Sequence, residues 1–180
     1  RDYAPEHLSL EEAGQLLWAA QGVTDARGFR TSPSAGALYP LEIYLVTGQV
    51  EGLEVGVFRY QAAGHSLVQV AYDDCREGLA RAALGQAFVR RAPAVLAITA
   101  VPERTTRRYG YRGHRYVYME AGHASENIYL QCVSLGLGTV AVGAFDDDEV
   151  ARVLALPKGE VALYLMPVGR LTESKQTPAE

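Results

Sequence analysis

The sequence predicts an α+β sandwich in which helices pack over a sheet. Residues 41–48 and 94–101 read as strands, whereas 112–135 carries Val117, Ala121, Ala124, Ile128 and Leu135 on one helical stripe. Strands and helices follow one another without the regular alternation of a parallel βαβ array. Neither a repeat nor a linker interrupts the 180 residues, so a single domain over 1–180 is expected.

Ser9-Leu10-Glu11-Glu12 is a capping box: the Ser9 hydroxyl takes the N–H of Glu12, and the Glu12 carboxylate reaches back. Leu10, Ala13, Leu16, Leu17 and Ala20 then recur at helical spacing, and Gly22 provides a stop. Leu41, Ile43 and Leu45 alternate with Glu42, Tyr44 and Val46, the pattern of a strand. Residues 57–61 and 66–70 flank Ala62-Ala63-Gly64 as a hairpin. Asp73 or Asp74 caps a helix running towards Gly85. Pro93 introduces the strand over 94–101, whose apolar residues on both sides place it centrally. Gly136 ends the long helix, and 139–145 reads as a strand or extended segment. Residues 147–156 form a short helix whose acidic first turn suits the helix dipole, and 161–168 is a final strand.

Apolar content of 48 % and charged content of 21 % exclude a disordered chain. The net charge of −4 argues against a general polyanion binder, leaving room for local basic patches. Cys75 and Cys132 are far apart and outside any Cys-x-x-Cys pattern, which fits small apolar residues in a reducing compartment. No apolar run has the length of a membrane span and no signal peptide is visible, so a cytoplasmic location without membrane contact is expected. The chain opens at Arg1 without a methionine, and further residues before it are expected.

The most informative segment is the loop from Arg30 to Pro40. No bulky side chain occurs from Ser32 through Ala37, so the backbone can approach a ligand closely, with N–H groups and Ser oxygens to bind its polar edge. The run Pro33-Ser34-Ala35-Gly36-Ala37-Leu38-Tyr39-Pro40, followed by Leu41-Glu42-Ile43-Tyr44, resembles the SagB-type dehydrogenases, a branch of the FMN-dependent nitroreductase superfamily. Further blocks follow in family order: Arg108-Tyr109-Gly110-Tyr111-Arg112, Glu120-Ala121-Gly122-His123 with Asn127, Leu135-Gly136-Leu137-Gly138-Thr139, Val142-Gly143-Ala144-Phe145-Asp146 and Pro167-Val168-Gly169-Arg170. The resemblance implies a nitroreductase-like sandwich, helices covering a mixed, mainly antiparallel central sheet. It also implies bound FMN, a homodimer with flavin at the interface, and reduction by NAD(P)H before a small acceptor takes the electrons.

Site residues follow from the resemblance, position by position. Arg1 matches the last Arg of an opening Arg-x-Ser-x-Arg pattern and Arg170 follows the last strand; both would hold the flavin phosphate, with Lys175 a weaker choice. Pro33, Ser34, Ala35, Ala37 and Tyr39 lie in the loop that reaches the flavin from the second subunit. Gln86 resembles a glutamine aimed at the pyrimidine edge, its amide offering donor and acceptor. Ala141, Val142, Gly143 and Ala144 match the stretch whose backbone passes flavin N5 and O4.

Where azoline-oxidising relatives carry Lys-Tyr, this chain has Arg108-Tyr109, the expected catalytic pair. An arginine stays protonated and is a poor base, which argues against peptide azoline oxidation. Tyr109 is an acid–base candidate or a stacking tyrosine. A flavin-binding, non-catalytic partner in a peptide-modifying complex is the alternative. The arginines from Arg104 to Arg115 interleave with tyrosines, a pattern of single-stranded nucleic-acid binding, but no nucleic-acid motif accompanies it and no such partner is expected. Glu120-x-x-His123 lacks the second copy a di-iron site needs, so no metal is expected; Glu120, His123, Asn127 and Gln131 read instead as a hydrogen-bonded or solvated polar stripe. Gly136-x-Gly138 follows a helix and opens an extended segment, the reverse of a dinucleotide fingerprint.

Overall fold

The computed structural model describes residues 2–172. Its centre is strand β4 (Ala94–Ala100), every residue of which is buried. β4 pairs antiparallel with β1 (Leu41–Thr47) on one side and with β6 (Val161–Gly169) on the other. β2 (Gly56–Gln61) and β3 (Ser66–Ala71) extend the β1 side as a hairpin, and β5 (Gly138–Thr139) closes the other edge. The order is β3-β2-β1-β4-β6-β5. Each strand pairing is antiparallel, so the expected mixed sheet proves more uniform; the parallel bridge between Leu8 and Val50 lies outside the named strands.

Helices cover both faces. On one, α1 (Leu10–Gln21) and α5 (Arg112–Ser134) bring Leu16, Leu17 and Ile128 against Ile43, Leu96 and Ile98. On the other, α2 (Arg76–Ala82), α3 (Ala87–Arg91) and α6 (Asp147–Val153) bring Leu79, Val89 and Val150 against Val46, Val95 and Leu165. The alternation in β1 therefore marks two cores instead of an inside and an outside: Tyr44 and Val46 are as buried as Leu41, Ile43 and Leu45. The capping box forms, Ser9 Oγ accepting from Glu12 N–H at 3.1 Å and Glu12 Oε2 from Ser9 N–H at 2.9 Å.

Two helices depart from the sequence reading. Neither Asp73 nor Asp74 caps α2; Asp74 takes the Arg76 N–H and its guanidinium, and Cys75 stands at the cap. α2 stops at Ala82, before Leu84 and Gly85 at positive φ, and the five-residue α3 follows. α4 (Glu103–Tyr109) holds the first arginines of the Arg/Tyr cluster on a helix whose one buried residue is Thr105, so no apolar stripe announced it. Of the segment 139–145, only Thr139 belongs to β5, and Val142 adds one bridge to Leu165.

Leu96 is fully buried at the middle of β4. Leu96→Ala is expected to lower unfolding free energy by about 3 kcal/mol, from lost transfer energy plus the cavity left behind. Urea denaturation of both proteins measures this; a loss under about 1 kcal/mol would contradict a tightly packed sheet centre.

Candidate functional site

The small-residue loop is held at its root by buried hydrogen bonds. Ser32, fully buried, donates from Oγ to the Ala20 carbonyl at 2.8 Å, and Asn127 on α5 donates to Ser32 Oγ at 3.1 Å and to the Ala19 carbonyl at 3.0 Å. Beyond the root, residues 35–37 make one tight turn, and Ser34 Oγ accepts the Tyr39 N–H at 2.9 Å. Gly36, Ala37 and Tyr39 have φ of 64°, 51° and 45°. For the two non-glycine residues this left-handed backbone costs about 1–2 kcal/mol each and persists only where the surroundings hold it. Tyr39 is held by Arg30, whose guanidinium lies 4.5 Å from the ring centroid, and by Arg104, which donates to its carbonyl at 3.1 Å. Within its own chain Tyr39 thus braces the loop.

The loop backbone presses on the Arg108–Tyr109 pair at the end of α4. A Cβ added at Gly36 would lie 2.8 Å from Tyr109 Oη and 3.2 Å from Arg108 Nη1, so a larger residue there would push the tips of these two side chains aside. Tyr109 is edge-on to Tyr116 of α5, with ring centroids 5.2 Å apart. The loop and the expected catalytic pair are therefore brought together by the fold.

Beneath the loop is a buried polar cluster that sequence reasoning missed. Glu120 is 2 % exposed and Gln21 1 %, and Glu120 Oε1 and Gln21 Nε2 have no hydrogen-bond partner among the described residues. Arg30 donates to Gln21 Oε1 at 2.9 Å. Burial pushes the Glu120 carboxyl up to about 7, against the lowering influence of Ser34, Arg30 and Gln21 beside it. Glu120 shares a cavity of about 240 Å³ with Pro33, Ser34 and Ala35. The rest of the expected polar stripe behaves as read: Asn127 is hydrogen-bonded, Gln131 accepts from Gln15 at 3.3 Å, and His123 is exposed. A signal was present in the sequence, since Glu120 falls between Val117 and Ala124 at the spacing of the apolar stripe.

On the far flank of α5 runs the 141–144 segment. Ala141 N–H donates to Tyr129 Oη at 2.8 Å and Val142 exchanges both backbone bonds with Leu165. The N–H groups of Gly143 and Ala144, both exposed, have no hydrogen bond among the described residues. Gly143 lines a cavity of about 390 Å³ with Tyr118, Phe145 and Tyr164. Gln86 meets this segment, its Nε2 donating to the Ala83 carbonyl at 2.9 Å and the Ala144 carbonyl at 3.3 Å. Its donor group is thus committed within the chain, and the amide carbonyl is what it offers outward; the expected double role is halved.

Arg170 pairs with Glu12 at 2.7 Å and Glu6 at 3.2 Å, while its Nη1 is buried without a partner among the described residues. The N-terminal segment runs beside it, Ala4 N–H donating to the Arg170 carbonyl at 2.8 Å. Arg1 and Lys175 lie outside the described residues. In one chain the 33–37 loop and the 143–144 backbone do not converge. The loop faces Tyr116, Met119 and Glu120 of α5, and Gly143 faces Tyr118 and Ala121.

Residues 1–170 match the family model described as the nitroreductase family. The chain belongs to that family. It is 53 % identical over 173 residues to a protein of Methanocaldococcus jannaschii provisionally named a nitroreductase, covering 96 % of this chain and 86 % of that one. It is 30 % identical over 162 residues to the microcin B17-processing protein McbC of Escherichia coli, covering 86 % of this chain and 59 % of McbC, which supports the SagB-type branch. A nitroreductase-family structure from Anabaena variabilis superposes with a TM-score of 0.84 at 32 % identity, covering 96 % of this chain and 36 % of that longer one. The chain is accordingly a nitroreductase-family oxidoreductase. No helix among the described residues is long and apolar enough to cross a membrane, and no three His, Cys, Asp or Glu side chains among them are grouped to hold a metal.

Glu120 gives a pH prediction. Its carboxyl titrates near 7 when folded and near 4.5 when exposed, so the folded state holds an extra proton between those values. Stability is full below about pH 4.5 and falls as pH rises through 7, by an amount on the order of 3 kcal/mol. Glu120→Gln, which cannot ionise, should be more stable than the parent at pH 8 and nearly equal to it at pH 4. Urea unfolding at both pH values tests this, and an unchanged difference between them would refute it.

Proposed function

We propose that this protein binds FMN between two copies of itself and passes electrons from NAD(P)H to a small quinone or nitroaromatic acceptor. The observation that carries the reading is the pair of exposed, unbonded N–H groups at Gly143 and Ala144, in the segment matching the family's flavin-contacting stretch. The residues present fit the cofactor. Gln86 offers an acceptor beside that backbone, and the unpartnered Arg170 Nη1 is a donor suited to phosphate. The same loop that cannot meet Gly143 in its own chain is free to do so from a second one.

Bound FMN would supply two-electron hydride chemistry. The N–H groups of Gly143 and Ala144 would hold its polar edge and orient it. Arg108, unpaired with any carboxylate among the described residues, would act as a fixed positive charge towards an anionic acceptor or a reduced ring. Tyr109, whose hydroxyl faces Gly36, would deliver a proton at that wall of the site.

The likeness to McbC favours a second reading, a role in modifying peptides. Arg108 weighs against the azoline-oxidising form of it, because a guanidinium stays protonated and offers no acceptor for the proton a base must remove.

Purified protein incubated with FMN should retain yellow flavin absorption, sediment as a two-chain particle, and oxidise NAD(P)H in the presence of a quinone. A folded protein that stays colourless would refute the reading, as would a flavin-loaded monomer. Arg108→Ala should retain FMN while acceptor turnover falls by about a hundredfold or more, the scale for losing one electrostatic stabiliser.

A further inference from the structure

The arginines that the sequence shows as one cluster divide in the structure. Arg104 is paired with Glu42 at 2.5 Å and Arg107 with Glu103 at 3.0 Å. Arg112 and Arg115 form no ion pair among the described residues. They stand three residues apart on α5, a mildly unfavourable like-charge spacing, and no acidic residue occupies that first turn to offset them. Both line an open cavity of about 470 Å³ whose other walls are Tyr111, His114 and Tyr118. Tyr111 is 92 % exposed and Tyr118 61 %, large apolar rings left in water at the mouth of a cationic cavity. Tyr111 and His114 lie with ring centroids 5.7 Å apart, tilted at 59°.

We propose that this cavity is a binding site for a small planar anion, an aromatic ring carrying a carboxylate or phosphate. Guanidinium groups pair such oxygens through two parallel charge-assisted bonds. The exposed phenol rings offer a flat ligand a stacking surface, and the volume is that of a small-molecule site. The absence of any carboxylate from the walls excludes the duller account in which the arginines only neutralise neighbouring acids. The proposal rests on the oxidoreductase reading only for the two sources of such a ligand. One is an acidic aromatic acceptor and the other is the phosphorylated adenosine half of a nicotinamide cofactor.

The test is calorimetric titration of the full chain at low salt with two matched pairs: 4-nitrobenzoate against 4-nitrobenzamide, and adenosine 2′-phosphate against adenosine. At least one anion should bind about tenfold tighter than its neutral partner, a difference of about 1.4 kcal/mol. Preference within the first pair assigns the acceptor, and preference within the second assigns the cofactor. The double variant Arg112→Gln with Arg115→Gln alters exposed side chains and should reduce the preference to within about twofold, with the circular dichroism unchanged. Tyr111→Ala should weaken the charged and neutral members of the pair alike. Equal binding within both pairs would overturn the proposal, as would a preference that survives the double variant. So would a single-stranded oligonucleotide that outcompetes both anions and loses binding in that variant. None of these titrations needs flavin or turnover, so a colourless protein would sink the FMN reading and leave this result standing on its own.

Discussion

The constraint on which the architecture depends is the burial of β4 on both faces. A strand with seven buried residues cannot lie at a surface, so it demands neighbours on each edge and helices above and below. β1 and β6 meet the first demand through paired registers along almost their whole length. α1 and α5 meet the second on one face, and α2, α3 and α6 on the other. With both faces of the sheet centre covered, chemistry is displaced to the rim. The loop after α1, the end of α4 and the segment before α6 are the places where backbone and polar side chains emerge. Each has a physical feature of its own: left-handed backbone, unpaired charge or unbonded N–H groups.

α5 organises that rim. One of its faces packs on α1 and the sheet, and its two flanks separate the loop from the 143–144 backbone. Its position relative to the loop is fixed by Asn127, whose amide reaches Ser32 and the Ala19 carbonyl together. The same helix supplies Glu120 below the loop and Arg112 and Arg115 at its start. A shift of α5 would therefore alter three polar environments together.

Much of this was legible before any coordinates. The capping box at Ser9–Glu12, the doubly apolar central strand and the long helix each follow from short-range rules, because spacing and end signals coincide there. The run of small residues from Ser32 to Ala37 announced a close backbone approach to a ligand, whereas within the chain Gly36 closes on Tyr109 and Arg108, which the sequence places some seventy residues away. What escaped depends on tertiary placement. α4 carries no apolar stripe, so nothing periodic marks it. The burial of Glu120 is decided by the loop folding over it, and the polar spacing of Glu120, His123, Asn127 and Gln131 gave a different impression. The arginines look alike in sequence, yet only the neighbours brought up by β1 and α4 determine which of them are neutralised.

Glu12 joins the two ends of the described chain. One of its oxygens caps the first helix at Ser9 and the other grips Arg170 after the last strand. Because the two tasks use separate atoms, they can be undone separately. An incoming anion that drew Arg170 away would break its pairs with Glu12 and Glu6 and leave the cap whole. The junction works as a clasp: it can open at the β6 side without the first turn of α1 beginning to fray.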